Sequence, residues 1–175
     1  MEFGPRSLGA RSILANPCDP QMQHNLNLKI KYRESFRPFA PAILAEDLEE
    51  WFILKNISPY MLFTADLCAN KHNPKSQIPA VTHIDFSARV QTVHQATNAV
   101  FFALLQEVKK LTACPILINT SFNIRGEPIV CTPEDAFRCF MGTEMDSLII
   151  GNCRLDKIEQ NSALSKNYKH FFALD

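Results

Sequence analysis

Between Ile116 and Val130 the chain passes from a continuous apolar run to a polar loop and back to an apolar pair, and few folds accommodate that order. Ile116-Leu117-Ile118, bounded by turn residues, predicts a buried central strand. Asn119, Thr120, Ser121 and Asn123 then emerge at its carboxyl end, which is where open α/β sheets hold ligands. Upstream, Thr97 or Asn98 caps a predicted helix carrying Val100, Phe101, Leu104, Leu105, Val108 and Leu111 on one side. Downstream, Thr132-Pro133-Glu134-Asp135 supplies a hydroxyl cap, a proline in the first turn and acids near the positive end of the dipole. Ala136, Phe137, Phe140 and Met141 give that second helix its buried stripe.

The remaining elements are shorter. Ala45 to Leu54 predicts an amphipathic helix that places Leu48, Trp51 and Phe52 in the core. Tyr60 to Leu67 reads as a strand, Cys68 to Ser76 as a polar loop, and Ser147 to Ile150 as a last short strand ending at Gly151. The polar tail beyond Arg154 carries no pattern. Mixed strands interleaved with about four helices predict an α/β (α+β) domain, and 175 residues suffice for one sizeable core.

Cations cluster in one place. Leu28-Lys29-Ile30-Lys31-Tyr32-Arg33 alternates apolar and basic side chains, which on a strand puts Leu28, Ile30 and Tyr32 inward and Lys29, Lys31 and Arg33 on the other face. A solvated outer face is the ordinary meaning of such a row. The proline-stiffened continuation from Phe36 to Leu44 adds Arg37, however, and four cations within nine residues suit a polyanion. Near the start, Gly4 and Gly9 have P-loop spacing, but Ala10-Arg11-Ser12 stands where Gly-Lys-Ser/Thr belongs and no strand precedes, which rejects that motif. Arg6 and Arg11 fit anion contacts and an ordinary basic turn equally well. His83, Asp85 and Arg89 lie in a second alternating run between Pro79 and Val93. Two ligands are too few for a metal, so His83 and Arg89 are read as hydrogen-bonding or anion-orienting groups.

Lys plus Arg equals Asp plus Glu, 18 against 18, so the chain has no monopole field to attract nucleic acid or an anionic membrane. Six scattered cysteines, with no close pair, read as reduced thiols buried in a core, and the opening residues lack a secretory leader; together these predict a cytoplasmic protein. No nucleophile is paired with a base in sequence. A set of cations (Lys31, Arg33, Arg37, with Arg6 and Arg89) and neutral donors (Thr120, Ser121, Asn123) suits phosphoryl or nucleotidyl transfer, in which charge on phosphoryl oxygens is neutralised and reactants are positioned. Glu127, the acid beside the central loop, fits a general acid or base and a turn-holding residue alike.

Four segments carry a resemblance: Glu2 to Ser12, Lys31 to Pro41, His83 to Gln91, and Asn119 to Asn123 continuing through Glu127 to Val130. Together they resemble the carboxy-terminal domain of the carbamoyltransferases of the NodU/CmcH family. The resemblance implies a YrdC-like domain, an open twisted mixed β-sheet with flanking helices, with residues 1–17 as linker and 18–175 as the domain. It implies that Lys31-Tyr32-Arg33 and Ser121-Phe122-Asn123 match the Lys-x-Arg and Ser-x-Asn motifs that bind nucleotide phosphates and the carbamoyl donor. Arg6, Arg37, His83, Arg89 and Thr120 carry over as phosphate or carbamoyl contacts. The implied activity is formation of carbamoyl-adenylate from ATP, with Mg2+, and carbamoyl phosphate, for transfer to a hydroxyl of a metabolite.

In that family the transfer takes place in an amino-terminal actin-like half that holds a metal ion. The His-x-x-x-His metal motif of that half does not occur here, and the chain opens inside a motif joining the two halves. An excised domain without the acceptor-transfer step is therefore expected, its cut interface exposing apolar surface that favours a homodimer. Phe86-Ser87 stands where the family has Gly-Thr, and Cys18 where it commonly has Arg. A nucleotide- or RNA-binding YrdC-like module without turnover is the competing reading, and zero net charge argues against its RNA form.

Overall fold

A computed structural model describes residues 7–71 and 76–162. In chain order its elements are β1 (Ser12–Ala15), α1 (Met22–Asn25) running into a π-helix over Leu26–Lys31, β2 (Ala40–Leu44), α2 (Leu48–Trp51), β3 (Phe63–Asp66), β4 (Ser87–Val93), α3 (Ala99–Thr112), β5 (Ile116–Ser121), α4 (Pro133–Met141), β6 (Ser147–Ile150) and β7 (Cys153–Asp156). They divide into two compact units, Met1–Gln23 with Pro38–Ser121, and His24–Arg37 with Phe122–Asp175. None of the helices among the described residues is long and apolar enough to cross a membrane.

The first unit is an open mixed sheet in the order β1-β5-β2-β4-β3, with helices, as the α/β expectation requires. β2 and β4 run parallel, while the other neighbours are antiparallel. β5 is an interior strand, bonded to β1 on one side and β2 on the other, and β2 holds the middle of the sheet. On one face Ala42, Leu44, Val93, Leu14 and Leu117 pack against Phe101, Phe102 and Leu105 of α3. On the opposite face Ile13, Ile43, Val90, Ile116 and Ile118 are buried as well. Burial of both faces is why β2 and the Ile116–Ile118 half of β5 are unbroken apolar runs rather than alternating ones.

α3 starts where expected, with Asn98 Oδ1 accepting the Phe101 N–H at 3.2 Å. Its buried stripe departs from the sequence expectation. Phe101, Phe102 and Leu105 face the sheet, whereas Val100, Leu104 and Leu111 are 85%, 42% and 84% exposed. α3 carries two apolar stripes, and helical periodicity cannot say which of two meets the sheet. Gly9 explains part of the choice: it sits at φ +113°, and a Cβ there would lie 2.7 Å from the Phe101 ring. The Asn98 amide also donates to the Leu8 carbonyl at 2.9 Å, so the Leu8-Gly9 turn seats on the start of the helix.

α2 is shorter than predicted, a single turn preceded by a 3-10 turn over Ala45–Asp47, yet Leu48, Trp51 and Phe52 are buried as expected. Asp47 takes both its bonds from the Lys109 ammonium of α3, at 2.7 and 2.9 Å. The cysteines do not all sit in the core: Cys114 and Cys139 are buried, Cys18 and Cys68 half-buried, and Cys131 and Cys153 exposed.

In the second unit α4 opens on a full capping box, Thr132 and Asp135 each bonding the other's backbone N–H at 3.1 Å. Its carbonyl end receives the Lys157 ammonium, which donates to Phe140 and Thr143 oxygens. β6 does not end the fold, because Gly151 at φ 57° turns the chain into β7 and closes a two-stranded hairpin. The pattern beyond Gly151 was too polar to show that strand.

The assignment of α3's buried stripe has a direct test. Leu105→Ala removes a side chain with no exposure and should cost about 2–5 kcal/mol in urea unfolding. Leu111→Ala, on the exposed stripe, should stay within about 0.5 kcal/mol of wild type.

Candidate functional site

The segment from Leu28 to Arg33 does not form the predicted strand. Leu26, Asn27, Ile30 and Lys31 are buried while Leu28 and Lys29 are exposed, which is a helical period, and the backbone over Leu26–Lys31 is a π-helix. Alternation over six residues satisfied a strand as well, so the pattern alone was ambiguous. The outcome for the cations is a correction: Lys31 turns inward with Ile30, and Lys29 turns outward to Glu144, 3.3 Å away. π-Turns are rare and concentrate at functional sites. This one ends at Tyr32 in the left-handed region, φ 50° and ψ 48°, held there by its hydroxyl donating to the Gly142 carbonyl at 2.8 Å.

Lys31 is 4% exposed. Its ammonium donates to the backbone carbonyl of Asn123 at 2.8 Å and to the Asn123 side-chain oxygen at 2.9 Å. The Asn123 amide in turn donates to the Glu127 carbonyl at 2.6 Å, and the Glu127 carboxylate accepts the Ile124 N–H at 2.9 Å. The Arg125 N–H closes the loop onto the Lys31 carbonyl at 3.1 Å. Burial, and then the charge of Arg33, bring the Lys31 ammonium down to a pKa of about 7, against partial compensation from Cys139 and Glu127. Cys139 lies in α4 with no exposure; burial first, then the Glu127 charge and a bond to it, push its thiol well above the usual range.

Arg33 stands half-buried beside this group. Its Nε donates to the Asn27 side-chain oxygen at 2.7 Å, and burial with the neighbouring Arg37 charge lowers its pKa to about 10. Asn27, which the sequence reading missed, is fully buried and also donates to the Ser35 and Arg37 carbonyls at 3.1 and 2.8 Å. It therefore shapes the whole turn that carries Arg33 and Arg37. The available signal was a polar residue on the apolar side of a helical, not an extended, period.

The other candidate residues belong to the first unit. Ser121 and Thr120 close β5 opposite Ser12 and Ile13, so their side chains leave opposite faces of the sheet and do not form one row of donors. Asn119 does not emerge from the strand; it is 1% exposed and donates to Gln91 at 2.6 Å and to the Ser7 carbonyl at 3.1 Å. By strand register, Asn119, Ser121, Gln91 and Arg89 share one face. His83 and Asp85 are not on a strand face. They form the turn before β4, where His83 Nδ1 meets the Ser87 hydroxyl at 2.9 Å and Asp85 accepts the Ser87 N–H at 3.0 Å. Phe86 in that turn has φ 61°, a conformation that favours the glycine found in the resembled family. Arg6 lies outside the described residues.

Chemically, the second unit offers a desolvated ammonium and a guanidinium close in the chain, both tuned by burial. Among the described residues no three His, Cys, Asp or Glu side chains come together in a way that would hold a metal ion. Such a site fits an anionic ligand whose charge is met by cations and amides.

Comparison with known proteins adds the following. Residues 1–157 match the family model described as carbamoyltransferase C-terminus. An uncharacterised protein of Synechocystis is 53% identical, over 91% of this chain and 29% of its own length. Nodulation protein NolO of Bradyrhizobium diazoefficiens is 44% identical over 86% of this chain and 27% of its own, and nodulation protein U of Rhizobium tropici 43% identical over 81% and 24%. The chain thus spans less than a third of the length of these relatives.

The depressed Lys31 pKa makes stability depend on pH with a definite sign. Above pH 7 the unfolded chain, with an ordinary lysine at 10.5, binds a proton that the folded chain has released, so stability rises with pH from about 7 toward 10.5. Lys31→Met should flatten that rise when urea midpoints are compared across the same pH range.

Proposed function

Because the chain belongs to the carbamoyltransferase C-terminal family, we propose that it carries out the adenylate-forming half of an O-carbamoyltransferase reaction, making carbamoyl-adenylate from ATP and carbamoyl phosphate. The observation that supports this most is the buried pairing of Lys31 with Asn123, which joins the Lys-x-Arg segment to the last residue of the Ser-x-Asn segment. An ammonium kept dry and fixed by two oxygens is preorganised for an anion, because little solvent has to be displaced when charge arrives.

In the proposed sequence, carbamoyl phosphate first yields carbamate and phosphate with one water. An oxygen of carbamate then attacks the α-phosphorus of ATP; the new O–P bond forms as the bond to the β-phosphate oxygen breaks, and pyrophosphate leaves. Lys31 and Arg33 neutralise phosphate oxygens, and Arg37 adds charge on the same turn. Asn123 serves chiefly to hold Lys31, since its side chain is already engaged there and at Glu127. We assign Ser121, Thr120, Arg89, His83 and Arg6 to ligand contacts on the strength of the family motifs. Mg2+ enters as the counter-ion that ATP brings on its phosphates. The hydroxyl acceptor and the transfer step are assigned to the further length present in the relatives, in a partner half that takes up the adenylate.

Incubation of the chain with ATP, Mg2+ and carbamoyl phosphate should release pyrophosphate, resolved from the phosphate of the first step by 31P NMR. Lys31→Ala should lower the rate by about 100-fold or more, the scale of losing one preorganised charge contact, and Ser121→Ala should also lower it. ATP binding in calorimetry without pyrophosphate release would select the binding module instead, and no binding would remove both.

A further inference from the structure

Two thiols that the proposed reaction does not use are brought together by the sheet of the first unit. β1 and β5 run antiparallel, with Ser12 opposite Ser121 and Ala15 opposite Ile118. Continued past the end of β1, that register carries Cys18 to the stretch just before Ile116, where Cys114 lies. The two side chains are hydrogen-bonded to each other. Their backbones are fixed on both sides. The Cys18 N–H donates to the Asn16 side-chain oxygen at 3.0 Å, and the Pro17 carbonyl accepts the Ala80 N–H at 3.2 Å. Opposite them, Ala113 ends α3 in the left-handed region at φ 59°, the Cys114 N–H donates to the Thr112 hydroxyl at 3.2 Å, and the Pro115 carbonyl accepts the Leu44 N–H at 3.4 Å. Neither thiol has to travel to meet the other.

Access to the pair is one-sided, since Cys18 is half-buried and Cys114 is 5% exposed. We propose that Cys18 and Cys114 form a peroxide-responsive disulfide site, with Cys18 the attacking thiol and Cys114 the resolving one. The electrostatics agree with those roles. The bond from Cys114 brings the Cys18 thiol down to about 7, against burial, which raises it. The same bond and burial push Cys114 well above the usual thiol range. Beyond each other, the thiols feel the Lys71 ammonium, which lies 4.2 Å from the Trp51 ring centroid and 2.7 Å from Glu50 and whose charge favours a thiolate at Cys114. The thiolate is the nucleophile, so the accessible and more acidic sulfur reacts first.

In the first step the Cys18 thiolate attacks one oxygen of hydrogen peroxide; an S–O bond forms, the O–O bond breaks, and hydroxide leaves and becomes water, giving a sulfenic acid. The Cys114 sulfur then attacks the Cys18 sulfur; the S–S bond forms as the S–O bond breaks, and the Cys114 proton leaves with the hydroxide as a second water. Two thiols are oxidised by two electrons and one peroxide is reduced. The product ties the end of β1 to the start of β5 and closes a loop of about a hundred residues, which restricts the unfolded chain and raises the urea midpoint.

The test treats the full chain with dilute hydrogen peroxide, caps remaining thiols with N-ethylmaleimide and digests it without reductant for mass spectrometry. A peptide pair joined through Cys18 and Cys114, two hydrogens lighter than the separate peptides and released by dithiothreitol, is the expected product. In Cys114→Ser, the Cys18 sulfenic acid should persist and be trapped by dimedone; in Cys18→Ser, Cys114 should stay reduced. Absence of the joined pair in wild type, or sulfinic acid accumulating on Cys18 in its place, would overturn the proposal. Oxidation of Cys114 at the wild-type rate in Cys18→Ser would overturn the assignment of roles. A further measurement needs no variant: the rate of Cys18 alkylation by iodoacetamide in wild type should rise with a midpoint near pH 7. A midpoint at the ordinary thiol value of about 8.5 or above would remove the attacking thiolate, and the proposal with it.

Discussion

An ammonium group taken out of water must be given acceptors and countercharge, and the second unit is arranged around that requirement at Lys31. Two of its acceptors come from one residue, Asn123, so the geometry of that loop bears directly on how the lysine is held. That loop is held by Glu127 from within and by the Arg125 N–H on the Lys31 carbonyl. The π-helix follows from the same need. Extra width in the helical turn lets Ile30 and Lys31 both face inward, and the chain then leaves through Tyr32 in a left-handed conformation, fixed by a distant hydrogen bond. Strain of that kind persists only where the surroundings over-determine it, and it clusters at sites with work to do.

The first unit meets a different constraint. A sheet buried on both faces must be apolar, yet Asn119 and Gln91 sit in its interior with almost no exposure. The Asn119 amide donates to Gln91 at 2.6 Å and to the Ser7 carbonyl, while its own side-chain oxygen is buried without a hydrogen-bond partner among the described residues. Ala40 and Ala42 on the intervening strand leave room for the two long amides to meet across β2. The polar end of the face, with Ser121 and Arg89, thus begins inside the core rather than at the strand's exit.

Elements marked by local chemistry were legible in advance. The Asn98 and Thr132 caps follow from hydrogen bonds that form within four residues, and the β5 run from its unbroken apolar side chains. Where two local patterns satisfied the same residues, the sequence could not decide. Leu28 to Arg33 alternates in a way that a strand and a helical turn both tolerate; α3 presents two apolar stripes; and Thr120 and Ser121 look like one donor group until strand geometry sends them to opposite faces. β7 was hidden because a short exposed strand needs no apolar side chains.

By itself, then, the sequence determined the class of fold, the family and the residue types of the candidate site, since these depend on composition, short-range capping and motif spacing. Only the tertiary structure decided that Lys31 is buried and Lys29 is not, that Asn123 and Glu127 are the groups holding it, and that Asn27 shapes the arginine turn. The physical reason is that desolvation belongs to a position in space. A lysine's charge is written in its side chain, but the pKa of that charge depends on partners 92 and 96 residues away.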